Sequence, residues 1–222
     1  MSICSAIFDM DGLLIDSEPL WYEAAVEVFT PLGIILTPES YASSIGLRTK
    51  EFVAWWFNQY GIDPVHAIPA GIQINEIVVD KIKNNGEALQ GVHYVLDLLK
   101  SKDFRIGLAT SSPARLIDVV VDKLGIRNYF SAFESAEHLV YGKPHPQVYI
   151  DCASALGCKP VDCLCFEDSF HGMIAAKAAR MKCIVVPAPF MKDELRWHAA
   201  DLQLDSLTAL TPGLLASLVD TP

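Results

Sequence analysis

At 222 residues the chain has room for one large domain or two small ones, and 51% apolar against 20% charged residues marks it as globular rather than disordered. A formal net charge of −10 excludes a generic grip on nucleic acid or on an anionic membrane surface, so an anionic substrate needs a local positive site. No apolar run approaches the ~18 residues of a membrane span, and the start lacks the basic region of a secretory signal, which points to the cytoplasm.

The first element is the run Ala6-Ile7-Phe8-Asp9-Met10-Asp11-Gly12, apolar residues that end in two carboxylates followed by glycine. If strand geometry persisted, Asp9 and Asp11 would share a face, and a divalent cation with a phosphate would explain such crowding. An acidic strand end at a solvated loop remains the plainer reading. Residues from about 17 to 88 then carry helical patterns (Leu20 to Phe29, Lys50 to Tyr60, Ile72 to Ile82) and no strand. Their three tryptophans, Trp21, Trp55 and Trp56, are read as packing residues.

From about residue 103 strands alternate with helices. Phe104 to Ala109 reads as a strand, and Ser112-Pro113 as the N-cap and first-turn proline of a helix closed by Gly125. Ala132 to Ser135 is a short strand, and Pro146 opens a helix ended by Gly157. Cys163 to Asp168 is a strand with acids at its end, followed by an alanine-rich helix from Met173 to Ala179. Cys183 to Pro187 is a further strand, and Leu202 to Leu204 an edge strand. The alternation implies an α/β fold, a Rossmann-like doubly wound parallel sheet with helices on both faces and an inserted all-helical unit. An insertion after the first strand stands over the carboxyl ends of the sheet, where ligands bind. The division expected is a core of 1–16 and 89–222 with a helical cap of 17–88. Six cysteines (4, 152, 158, 163, 165 and 183) form no Cys-x-x-Cys pair and are read as free thiols, mostly buried.

Four strand ends fall on one rim: Asp9/Asp11, Thr110/Ser111, the Gly142-Lys143-Pro144 loop and Glu167/Asp168. Each is weak alone, but together they form a phosphate-handling set. Asp9 to Glu18, then Thr110, Lys143-Pro144 and Glu167-Asp168-Ser169 resemble the four ordered motifs of the haloacid dehalogenase-like phosphohydrolases. The run Asp16-Ser17-Glu18-Pro19-Leu20-Trp21 resembles that superfamily's sugar-phosphatase branch, which includes hexitol and 2-deoxyglucose 6-phosphate phosphatases.

The resemblance implies Mg2+-dependent hydrolysis of small phosphate esters by a cytoplasmic monomer that needs neither nucleic acid nor membrane. It makes Asp9 the nucleophile, Asp11 the acid and base, and Lys143 a fixed positive charge. The Thr110 hydroxyl and the Ser111 N–H would hold the phosphoryl group. Magnesium would be held by Asp9, the Asp11 carbonyl and Asp168, with Glu167 beside them. Glu18 and Arg48 are the polar residues expected to meet the rest of the substrate, with an ordinary helix-start charge as the equal alternative for Arg48. A β-phosphoglucomutase-like mutase is the nearest alternative, but Trp21 stands where that branch carries a cap histidine. A phosphoglycolate phosphatase and a non-catalytic binding protein are further alternatives. His145 and His171 are read as turn or helix-start residues.

Overall fold

The computed structural model describes residues 3–220. Six strands, β1 (Ser5–Phe8), β2 (Arg105–Thr110), β3 (Ala132–Ser135), β4 (Cys163–Glu167), β5 (Lys182–Val185) and β6 (Leu202–Gln203), form a parallel sheet in the order β3-β2-β1-β4-β5-β6. The winding reverses at β1, which pairs with β2 on one side and β4 on the other, so the crevice beyond its carboxyl end is the natural ligand site. The fold class read from the alternation is the one observed.

Between β1 and β2 the chain forms α1 (Glu18–Phe29), α2 (Pro38–Ala42), α3 (Thr49–Tyr60), α4 (Ala67–Asn85) and α5 (Val92–Lys100). Beyond β2 come α6 (Ala114–Lys123), α7 (Gln147–Ala155), α8 (Phe170–Ala178) and α9 (Pro212–Asp220). Strand alternation supplies two buried faces. Ala6 and Phe8 join Ile106, Leu108, Leu164 and Phe166 under α5 and α6, while Ile7 joins Ala109, Cys163 and Cys165 under α7 and α8. Phe8 stacks on its register partner Phe166 with ring centroids 4.3 Å apart. Cys152, Cys163, Cys165 and Cys183 are buried free thiols on the second face, as read; Cys158 is half-buried and Cys4 exposed.

The helices α1, α3 and α4 pack around Phe29, Phe52, Phe57, Ile74 and Val78, with Phe29 stacked on Phe52 at 5.5 Å. The two ends of this helical segment run side by side: the Asp16 N–H donates to the Glu87 carbonyl (3.0 Å) and the Leu89 N–H to that of Leu14 (3.2 Å). Among the described residues, no helix is long and apolar enough to cross a membrane.

Several expectations change in detail. β1 stops at Phe8, so Asp9 and Asp11 do not share a continuing strand; the chain turns at once, with Gly12 at a φ of 71°. Ser112 does not cap α6: Pro113 occupies the cap position and the Ser112 hydroxyl turns elsewhere. α2, α5 and α9 have no counterpart among the expected elements, and α4 starts at Ala67, more than a turn ahead of the expected Ile72.

Candidate active site

Asp9 follows β1 directly, its N–H still donating to the Phe166 carbonyl of β4 (3.0 Å). Its side chain is almost wholly buried, and its Oδ1 accepts from Lys143 Nζ at 2.6 Å. The same ammonium donates to Glu167 Oε1 (2.7 Å) and the Ala109 carbonyl (3.2 Å), and lies 4.7 Å from the Tyr149 ring centroid. Burial pushes the Asp9 carboxyl up to about 7 even though Lys143 pulls it down. Burial alone would lower Lys143, but Asp9 and Glu167 together hold its ammonium above the ordinary lysine range.

Glu167 is completely buried and both its oxygens are engaged. Oε1 also accepts from the Tyr149 hydroxyl, while Oε2 accepts from the Asp168 N–H (3.1 Å) and from the Ser169 N–H and hydroxyl (3.0 Å each). Burial would raise its carboxyl, yet Lys143 and these donors hold it below the usual range. Glu167 therefore serves to anchor Lys143.

Asp11 has different neighbours. Its Oδ1 accepts from the Ser17 hydroxyl (2.6 Å) and from Trp21 Nε1 (2.8 Å), and its Oδ2 from the Ser112 hydroxyl (2.7 Å). Ser17 precedes α1 and Trp21 lies one turn into it, an i, i+4 pair that grips one carboxylate oxygen. Thr110 ends β2 and accepts from the Ser112 N–H (3.0 Å), while the Ser111 hydroxyl donates to the Gly46 carbonyl (2.9 Å). Thr110, Ser111 and Ser112 line one chamber with Asp9, Asp11, Lys143 and Asp168.

Asp9, Glu167 and Asp168 can bring one oxygen each within 4.8 Å of one another, a spacing fit for a cation. Asp168 Oδ1 is buried without a hydrogen-bond partner, an orphaned acceptor of the kind a hard cation satisfies. Burial, then Glu167 and Asp9, push the Asp168 carboxyl well above its ordinary range. Gly12 makes the approach possible, since a Cβ there would meet Asp168 Oδ2 at 2.2 Å.

Glu18 lines the chamber and accepts from the Tyr41 hydroxyl (2.9 Å); burial, then Asp11, push its carboxyl up to about 8. Arg48 is placed differently from its expected role. It is buried, its Nη1 donates to the carbonyls of Ala136 (3.0 Å) and Leu139 (2.6 Å), its Nη2 donates to that of Val140 (3.3 Å), and it pairs with Glu51. It is absent from the chamber lining. The tryptophans also divide: Trp56 is buried, Trp55 is half-exposed, and Trp21 is a chamber residue. His171 donates through Nδ1 to the Ile45 carbonyl (3.0 Å), and His145 accepts from the Gln147 N–H (3.3 Å). Tyr149 escaped the sequence reading, and Ser112 was read only as a helix cap. The Ser17 to Trp21 spacing behind Asp11 was the one visible signal for a grip on that acid.

These four rim segments around one chamber are matched by sequence: the chain belongs to the haloacid dehalogenase-like hydrolases, whose pattern it follows over residues 6–186. It is a phosphoric monoester hydrolase of that family. Hexitol phosphatase B of Escherichia coli (strain K12) is 42% identical over 214 residues, covering 94% of this chain and 95% of that protein. A fructose-1-phosphate phosphatase of the same strain is 31% identical over 184 residues, covering 81% and 94%. The crystal structure of a β-phosphoglucomutase from Clostridium difficile shares the fold, with a TM-score of 0.86 at 24% identity over 97% of this chain and 96% of that one.

Proposed function

We propose that the protein is a Mg2+-dependent phosphatase of small sugar phosphates, of the hexose or hexitol phosphate and 2-deoxyglucose 6-phosphate type, working through a phosphoaspartate on Asp9. The observation that carries this reading is the unlike company of the two acids. Asp9 faces an ammonium at 2.6 Å, as suits a carboxylate that attacks; Asp11 faces hydroxyls and an indole, as suits one that moves a proton.

Asp9 attacks phosphorus in line as the bond to the sugar oxygen breaks, and Asp11 gives its proton to the departing alkoxide. In the second step Asp11 takes a proton from water, whose oxygen attacks phosphorus and releases Asp9 as carboxylate. The Ser17 hydroxyl and the Trp21 indole fix Asp11 Oδ1, which leaves Oδ2, beside the Ser112 hydroxyl, as the oxygen that exchanges the proton. Lys143 holds Asp9 in line, and the Thr110 hydroxyl with the Ser111 N–H binds the phosphoryl oxygens. Asp9, the Asp11 carbonyl and Asp168 would hold Mg2+, which when bound supplies the charge that lets a phosphate dianion approach three carboxylates.

Residues 17–88 act as the cap that selects the leaving group, over a core of 1–16 and 89–222. The chain is read as a monomer of the cytoplasm, a reducing compartment that its free thiols fit. The test is hydrolysis of p-nitrophenyl phosphate with and without Mg2+, then a screen of sugar phosphates ranked by kcat/KM. Asp9→Asn is expected to lower turnover by about a thousandfold or more; wild-type turnover in that variant would refute the assignment.

A further inference from the structure

The cap segment that roofs the chamber contributes Gly46, Leu47 and Thr49 to its lining, yet the arginine between them turns away. Arg48 is committed to three carbonyls of the 136–140 segment and to Glu51. Among the described residues the chamber lining holds a single cation, Lys143, and that ammonium is already divided between Asp9 and Glu167.

An adjoining cavity of about 350 Å³ shares Glu18, Tyr41, Ile45 and Asp168 with the chamber. Its walls are Pro19, Tyr22, Pro38, Leu89, Phe190 and Met191, its polar edge includes Asp16 and Glu18, and its described lining carries no lysine, arginine or histidine. Apolar and aromatic faces beside carboxyl groups suit the C–H faces and hydroxyls of a polyol. They do not suit a second phosphate, which would be desolvated next to acids with no counter-charge.

Resting on the phosphatase reading, we infer that Glu18 and Tyr41 form a leaving-group subsite that takes a neutral polyol and refuses a second phosphate, because no cation lines the adjoining cavity and Arg48, beside the chamber, turns away from it. Sugar monophosphates are then the substrate class. Bisphosphates are excluded both as substrates and as the intermediates that a sugar-phosphate mutase must hold.

The test compares glucose 6-phosphate with glucose 1,6-bisphosphate as inhibitors of p-nitrophenyl phosphate hydrolysis by the wild-type enzyme with Mg2+, so turnover of neither sugar is required. The monophosphate is expected to bind at least about tenfold more tightly. An equal or tighter inhibition constant for the bisphosphate, or no inhibition by either, overturns the inference while the dye reaction keeps the phosphatase reading intact. Failure to cleave the dye at all removes both. Thr49→Lys, which sets a cation on the chamber wall, is expected to narrow the ratio by about tenfold; an unchanged ratio in folded variant protein counts against the subsite.

Discussion

The carboxyl group of Glu167 lies against the first turn of α8, where a Cβ built on Gly172 would stand 1.6 Å from Oε1 and 2.3 Å from Oε2. Only a residue without a side chain leaves Glu167 where it can hold Lys143 beneath Asp9. Gly172→Ala should therefore displace Glu167 and, through it, the lysine. Overpacking of this kind costs about 1–3 kcal/mol, and a shift of the lysine by an ångström should lower kcat about a hundredfold. Urea unfolding and kcat for p-nitrophenyl phosphate measure the two effects, and wild-type values in both would break the link between Gly172 and the Lys143–Asp9 pair. At this scale the sequence made legible the groups that carry charge at strand ends, Asp9, Asp11, Glu167 and Asp168, and the lysine of the loop before α7, Lys143. It hid those whose role depends on a neighbour far along the chain. Nothing local tells that Ser112 leaves a helix cap for Asp11, 101 residues away, or that the hydroxyl of Tyr149, on an apolar stripe of α7, reaches Glu167.

The start of α3 is fastened to the segment that leads into Lys143. Arg48 spans from its cap position to carbonyls 88 to 92 residues away, and Glu51 accepts from the Gly142 N–H at 3.4 Å. Gly142 must be bare here, since a Cβ would come within 2.5 Å of Arg48 Nε. Arg48→Ala would leave three carbonyls and Glu51 without their guanidinium, a loss of about 3 kcal/mol for a buried, hydrogen-bonded ion. Because the freed loop carries Lys143, kcat should also fall by about tenfold, and Arg48→Lys should restore little, as an ammonium lacks the planar fork. Denaturant titration together with the split between kcat and KM tests this; a change in KM alone would mark Arg48 as a substrate contact instead. The same arginine shows where element-scale reading stops. Periodicity located α1, α3, α4, α6 and α7, each of which shows its buried face as a repeat, while the strands, buried on both faces, showed as continuous apolar runs. It could not say which charge a cap loop turns inward, because that depends on unpaired carbonyls of another segment.

Across the whole molecule, buried carboxylates are gathered on one rim, and stability must register that crowding. Asp9 is raised to about 7 and Asp168 is raised as well, both chiefly by burial, so without a cation the folded state binds protons that the unfolded chain has released. The sign follows from linkage: in the metal-free protein these groups make folding less favourable as pH rises from the ordinary carboxylate range through about 7. A magnesium ion held by Asp9 and Asp168, as proposed, would replace those protons and reverse the penalty, so its affinity would weaken as pH falls below about 7. At a hundredfold excess over its dissociation constant the ion should add about 2.7 kcal/mol, or roughly 5–10 °C in Tm for a chain of this length. Thermal unfolding in chelator and in excess Mg2+, on either side of that pH, measures it directly. The ion should raise Tm on the alkaline side and do little on the acid side, and Asp168→Asn should flatten the difference. An equal magnesium shift at both pH values would mean that the cation does not compete with protons for Asp9 and Asp168, and the metal would have to be sought elsewhere.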